Sequence, residues 1–163
     1  MPLPIAHGLA GASIIALVHP KGDVKNWKPL LLGFVLANCP DLDLGFQFLF
    51  GGRGFHRGFT HSIFFAFLVG VAIFVWFRRE HWRIPLAYSS AFLSHTILDF
   101  VSANSGAVRI LMPFSNKPYG LGAISFSELS RGFLISDMLY FSAIEALIFI
   151  PLFLIALFVR RFI

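Results

Sequence analysis

Five apolar runs make up most of this chain and limit how it can fold. They lie at residues 3–18, 29–50, 58–77, 84–103 and 134–159. A helix needs about 20 apolar residues to cross a bilayer, so the last three runs are long enough while the first is short. Only 13% of the residues are charged, whereas soluble domains carry about 25%. We therefore predict an all-α integral membrane bundle of about four to five apolar helices, forming a single domain over residues 1–163.

Pro40 interrupts the second apolar run within "ANCPDLD". Proline has no amide proton, and its ring clashes with the preceding helical turn. We therefore expect the second helix to break at Asn38-Cys39-Pro40. The helix before the break would be only about 15 Å long, and it would enter the membrane without a clean crossing.

Basic residues cluster between the apolar runs, at 19–28, at 78–83 and at the C-terminus. If all five runs cross the bilayer, these clusters share one side, which the positive-inside rule makes cytoplasmic. The net charge of +5 then reflects membrane topology, and we expect no nucleic-acid partner. The N-terminus, residues 51–57 and the long connection 104–133 lie on the opposite, non-cytoplasmic side.

Seven side chains able to bind a metal ion flank these runs: His7, Asp41, Asp43, His56, His61, His95 and Asp99. Because successive spans alternate in direction, we expect all seven at one end of the bundle. His95 and Asp99 are four residues apart, so they lie on the same side of a helix. An ionisable group inside a membrane is costly and normally faces the bundle interior, where it has a partner.

Imidazoles and carboxylates together suit zinc, manganese or iron. Seven ligands exceed the four of one tetrahedral zinc ion, so the set favours two divalent metal ions, with zinc the first choice. Such a site serves hydrolysis, because bound metal acidifies water and stabilises a leaving oxygen.

The same residues suggest roles within such a site. We expect the first metal to use the core ligands His56, His61, His95 and Asp99. His7 and one of Asp41 or Asp43 would complete the second metal, with the other aspartate as a base or bridge. Arg57 either clamps a phosphate group in bidentate fashion or faces lipid headgroups.

Each signal also has an ordinary structural explanation. A single buried histidine such as His95 more often joins helices through a hydrogen bond than binds metal. The aspartates of "PDLD" suit a turn and a helix cap. Asp137 and Glu145 are two turns apart in the last run, so they are either partners of the site or a packing pair. The convergence of the seven residues, more than any single one, favours a site.

The segments "IAHGLAG" (5–11), "ANCPDLD" (37–43), "FHRGFTHS" (55–62), "SHTILD" (94–99) and "ILMPFSNKPYGLG" (110–122) resemble the YdjM-like family of membrane-bound metal-dependent hydrolases. The resemblance covers roughly residues 4–125 and leaves 134–159 as an additional C-terminal transmembrane helix. It implies a compact protein of the prokaryotic inner membrane that uses the same seven side chains. The HxxxD pair also looks like that of zinc-dependent phospholipases C, where such a pair binds metal.

Three functions remain open on these grounds. The first is a metal-dependent hydrolase acting on a phosphoester of a lipid or lipid-linked substrate, with its site toward the non-cytoplasmic face. The second is a metal-ion transporter, although transporters usually place their sites near the bilayer midplane between repeated halves. The third is a non-catalytic membrane scaffold. The sequence specifies no oligomeric state.

Overall fold

A computed structural model describes residues 3–20, 26–50, 56–77, 81–102, 107–123 and 135–162. These residues form six α-helices: α1 (Pro4–Val18), α2 (Lys28–Asn38), α3 (Asp43–Phe50), α4 (Ile63–Trp76), α5 (Arg83–Ser102) and α6 (Ile135–Val159). Within the described ranges there is no β-strand, and one isolated bridge joins Val108 to Tyr119. The predicted all-α class is therefore confirmed.

The break at Pro40 occurs where the sequence predicts it. Helix α2 ends at Asn38, and Cys39–Leu42 form a 3-10 turn before α3 begins at Asp43. Proline disrupts the α-helical hydrogen-bond ladder, and the tighter turn takes its place. Two aspartates are thereby placed within and just after the turn.

The third apolar run begins its helix later than predicted. Residues 59–61 form a 3-10 turn, and α4 starts at Ile63 rather than at position 58. Ser62 is the N-cap, because its hydroxyl accepts the N–H of Phe65. Thr60, two residues earlier, instead donates its hydroxyl to Asp43. With this later start α4 has 14 residues and measures about 21 Å.

One described helical stretch, Leu139–Val159 in α6, is long and apolar enough to cross a membrane by itself. Helices α1 and α4 are apolar but shorter, so four or five separate crossings stay a prediction. The outer faces of α4 and α6 expose large apolar side chains such as Phe67 (63%) and Leu147 (76%). Extended apolar surface of this kind marks contact with lipid or protein.

Helix α1 packs closely against α2 because both carry glycine where they meet. A Cβ at Gly11 would overlap the carbonyl oxygen of Gly33 and would come within 2.5 Å of the Ala37 Cβ. A Cβ at Gly8 would overlap the Phe34 ring. Small residues thus let the two backbones approach, as is common between membrane helices.

We expect Gly11→Ala to destabilise the protein by about 1–3 kcal/mol, because the added methyl forces the two helices apart. Thermal unfolding in detergent measures the effect. Gly45→Ala is the matched control, since a Cβ there meets nothing within 4 Å and alanine favours the helix. Equal melting temperatures for Gly11→Ala and the wild type would contradict this account of the packing.

Candidate metal centre

All seven predicted ligands lie at one end of the helices. Helix α1 supplies one, the turn after α2 and the start of α3 supply two, the turn before α4 supplies two, and α5 supplies two. Four of them have no exposed surface: His7, His61, His95 and Asp99. The structure therefore brings the whole predicted set together.

The deepest group joins α1 to α5. His7, His95 and Asp99 are all buried, and each offers a ligand atom within 4.8 Å of the other two. His7 Nε2 lies 3.4 Å from Asp99 Oδ1. The imidazoles of His7 and His95 stack with their centroids 3.8 Å apart. This group combines one carboxylate with two imidazoles, an N/O set that suits zinc.

A second group lies toward the surface and contains Asp41, His56 and His61. Asp41 Oδ1 is 3.3 Å from His61 Nε2 and 3.9 Å from His56 Nδ1. It is also 3.4 Å from His95 Nε2, and the Nε2 atoms of His61 and His95 are 3.0 Å apart. The two groups are therefore adjacent and meet at His61 and His95. The sequence predicted the members but assigned His56 and His61 to the same metal as His95 and Asp99.

Asp43 contacts the outer side of the second group. Its two oxygens lie 2.9 Å from His56 Nδ1 and 3.3 Å from His61 Nδ1, and Oδ2 accepts the Thr60 hydroxyl. Asp43 belongs to neither three-residue group. Carboxylates in this position fix the tautomer and orientation of metal-binding histidines. The roles of Asp43 as a metal ligand, a general base or a bridge between metals stay predictions.

A backbone carbonyl orients His95 in the same way. His95 Nδ1 lies 2.7 Å from the oxygen of Ala37 in α2, which leaves Nε2 directed at His61 and Asp41. This contact could not be predicted from the sequence, because it depends on how closely α2 packs against α5. The Thr60 contact had a local signal, since Thr60 directly precedes His61 in "FHRGFTHS".

Arg57 lies beside the buried carboxylate of α5. Its Nε is 3.7 Å from Asp99 Oδ2, and its backbone oxygen accepts the N–H of Arg109. Arg57 has a φ of 60°, a left-handed conformation that is uncommon for a residue with a side chain. Gly58, the next residue, has a φ of −93°, so the left-handed position is occupied by Arg57 and not by the glycine. The unusual backbone at Arg57 directs its guanidinium toward the cluster.

In and beside the outer group, contacts between carboxylates and imidazoles stabilise the charged forms of both. Burial raises the pKa of Asp41, but hydrogen bonds with His61 and His95 outweigh it and hold that pKa well below its usual range. Burial opposes ionisation of Asp43 too, yet contacts with His56, His61 and Thr60 lower its pKa. Burial lowers the pKa of His61, whereas Asp41 and Asp43 raise it, to about 9 overall.

The inner group has the unsatisfied atoms that a metal ion would engage. Both ring nitrogens of His7 and both oxygens of Asp99 are buried without a hydrogen-bond partner among the described residues. An unpartnered buried carboxylate is costly. Adjacent ligand atoms of a tetrahedral zinc site are separated by roughly 3.4 Å, given metal–ligand bonds near 2.1 Å. The separations of 3.4 Å from His7 to Asp99 and 3.3 Å from His61 to Asp41 fit that spacing.

Other candidate residues contribute less. Ser115 and Lys117 of the connection 104–133, which could contact a lipid headgroup, form a local hydrogen bond in which the Ser115 hydroxyl accepts the Lys117 N–H. The side chain of Asp137 lies outside the described residues. Glu145 is fully buried and contacts the start of α1 rather than any of the seven ligands.

Comparisons with known proteins relate this chain to bacterial inner membrane proteins. The family model described as "YdjM inner membrane protein" matches residues 1–163. "Inner membrane protein YbcI" of Escherichia coli (strain K12) is 39% identical over 97 residues, which cover 55% of this chain and 56% of that protein. The match thus spans little more than half of this relative's length. No solved structure matches. The chain belongs to the YdjM family of inner membrane proteins.

Proposed function

We propose that this protein is a membrane-bound, metal-dependent hydrolase that cleaves a phosphoester of a lipid or lipid-linked substrate. One observation carries the proposal: two adjacent three-ligand groups of histidine and aspartate, one buried and one partly exposed, lie at one end of the helices. A scaffold that only packed helices would not require a buried carboxylate whose two oxygens face histidines and an arginine without a hydrogen bond, as those of Asp99 do among the described residues.

The cluster is enclosed on its inner side and accessible on its outer side. Asp99, His7 and His95 are fully buried, whereas Asp41 and His56 keep 14% and 18% of their side chains exposed. The Arg57 side chain is 15% exposed. A substrate would therefore approach past Asp41, His56 and Arg57.

The donor set suits two divalent ions, with zinc as the first choice and manganese or iron as alternatives. When bound, such ions supply Lewis acidity and water acidic enough to act as a nucleophile near neutral pH. Asp43 contacts Nδ1 of His61, and the Ala37 carbonyl contacts Nδ1 of His95. The Nε2 atoms of these two rings therefore face the centre. The Arg57 guanidinium is suited to bind a phosphate, since its fork of N–H donors matches two phosphate oxygens.

Apolar cavities near the cluster favour an amphiphilic substrate. A groove of about 460 Å³ lies between α4 and α5, and another of about 320 Å³ lies between α4 and the segment 110–114. Both are lined by Ile63 and Phe67. The segment 110–114 links the second groove to the site through two backbone hydrogen bonds. Ile63 donates to the Ile110 carbonyl, and Arg109, which directly precedes the segment, donates to the Arg57 carbonyl. A lipid could thus place its phosphate near Arg57 and its chain in the grooves.

We place the site toward the non-cytoplasmic face. The basic stretches 19–28 and 78–83 precede α2 and follow α4 in the chain, and basic loops favour the cytoplasmic side. The supporting observation is that the site segments 37–43, 56–62 and 94–99 occupy the ends of α2, α4 and α5 opposite those loops.

The first test is hydrolysis of phospholipid phosphoesters in mixed micelles by purified protein with zinc or manganese. We expect His61→Ala and Asp99→Ala to lower kcat/KM at least about 100-fold, beyond the 10–100-fold usual for residues that only orient ligands. His81→Ala is the control, because His81 is exposed and belongs to neither ligand group.

Three results would contradict this proposal. Full activity in both ligand variants would remove the assigned site. Absence of stoichiometric metal after gentle purification would favour a scaffold. Metal uptake into proteoliposomes without phosphoester hydrolysis would favour a transporter.

A second prediction concerns Asp43. We expect Asp43→Asn to weaken metal binding about 10–100-fold, as is typical when a carboxylate that orients metal-binding histidines is lost. Equilibrium dialysis against zinc measures the affinity, and circular dichroism checks the helices. Asn38→Ala is the control, because its side chain lies in the same region but donates only to the Phe34 carbonyl in the described structure. Unchanged zinc affinity in Asp43→Asn would refute the orienting role.

A third prediction concerns Arg57. Arg57→Asn suits the left-handed backbone but removes the guanidinium. We expect kcat for phosphoesters to fall about 10²–10³-fold, the usual cost of losing a donor to transition-state charge, while metal content stays unchanged. Arg57→Lys keeps the charge without the bidentate geometry, so its activity should be intermediate. Loss of metal from Arg57→Asn would show instead that Arg57 mainly stabilises the ligand cluster.

A further inference from the structure

Glu145 in α6 and Arg160, directly after α6, contact opposite ends of α1. The Glu145 carboxylate accepts the N–H of Leu3 with both oxygens, at 2.7 and 2.9 Å. At the other end the Arg160 guanidinium donates to three backbone carbonyls, those of Ala16, His19 and Pro20. The order of these contacts shows that α1 and α6 run parallel.

The signs of the two charges suit the helix that they contact. A carboxylate stabilises the positive end of a helix dipole, and a cation stabilises the negative end. Pro4, the first residue of α1, has no backbone N–H to donate. Leu3 is the N-cap residue, and no side-chain hydrogen bond of its own caps the helix. Glu145 is fully buried, so its bond to Leu3 offsets the cost of burying the carboxylate.

The Leu3 peptide links Glu145 to the metal centre. Its N–H is held by Glu145, and its carbonyl oxygen accepts the N–H groups of Ala6 at 3.0 Å and His7 at 3.4 Å. Movement of Leu3 would therefore displace the helical turn that carries His7. Glu145 is separated from the His7 backbone by only two hydrogen bonds.

His7 depends on its backbone more than the other buried histidines do. His61 is oriented by Asp43 and His95 by the Ala37 carbonyl. Neither ring nitrogen of His7 has a hydrogen-bond partner among the described residues. The position of its ring is set by the first turn of α1, by the stack on His95 and by the 3.4 Å contact with Asp99.

We infer that Glu145 is a positioning residue that fixes the first turn of α1 and thereby holds His7 in the metal centre. The inference rests on the proposed metal site. Glu145 acts through Leu3 and not as a ligand, since both its oxygens contact the Leu3 N–H and it belongs to neither ligand group. Arg160 contacts the C-terminal end of the same helix, far from His7. We therefore expect it to stabilise the packing of α1 without affecting the metal centre.

This difference between the two ends of α1 supplies the test. Zinc binding to the full-length protein in detergent is measured by calorimetric titration for Glu145→Gln and Arg160→Gln. Both variants should melt at a lower temperature than the wild type. Only Glu145→Gln should lose about 10–100-fold in affinity at one of two sites, the usual effect of a supporting residue. The variant His7→Ala/Glu145→Gln should bind no more weakly than His7→Ala, because both changes affect one ligand.

Other outcomes would overturn either this inference or the proposed function. Wild-type zinc affinity in Glu145→Gln would overturn the inference, and so would equal losses in Glu145→Gln and Arg160→Gln. If Glu145→Gln does not fold, Glu145→Asp replaces it. Its shortened side chain should cost about tenfold in affinity, and unchanged affinity would overturn the inference. Failure of the wild type to bind zinc, manganese or iron would instead refute the proposed function.

Discussion

Asp99 is a fully buried carboxylate, and side chains from three segments of the chain face it. A buried charge is tolerated only when it is paired. His7 comes from α1, Arg57 and His61 come from the region before α4, and His95 comes from α5 itself. The need to compensate one carboxylate therefore joins three segments that are far apart in the chain.

The glycines of α1 and α2 make this arrangement possible. Close approach at Gly11 and Gly33 brings the end of α2 near α5, where the Ala37 carbonyl meets His95. The break at Pro40 then turns the chain so that Asp41 and Asp43 reach the histidines before α4. A substitution that separates these helices should therefore weaken the site as well as the fold.

Features that depend on local sequence could be predicted. The four-residue spacing of His95 and Asp99 places them on one side of a helix, and the chemistry of proline ends α2. Alternation of apolar runs predicted the convergence of the ligands. The pairing of ligands into two groups could not be read from spacing, because it depends on the angles at which helices pack.

Other features depend on contacts that the sequence does not encode locally. Arg57 adopts the left-handed backbone although glycine follows it. His61 lies in a 3-10 turn rather than in the first turn of α4, which shortens that helix. The number of crossings was predicted from apolar length alone, and polar residues within the third run reduced the helical part.

The parallel contact of α1 and α6 also bears on the depth of the site. Glu145 is level with the start of α1, whereas the apolar stretch of α6 begins six residues earlier, at Leu139. At 1.5 Å per residue, that stretch extends about 9 Å past α1. A bilayer aligned on α6 would therefore enclose His7 and its partners below the membrane surface. At that depth a molecule within the membrane would reach the site more directly than one in water, in keeping with the lipid substrate proposed above.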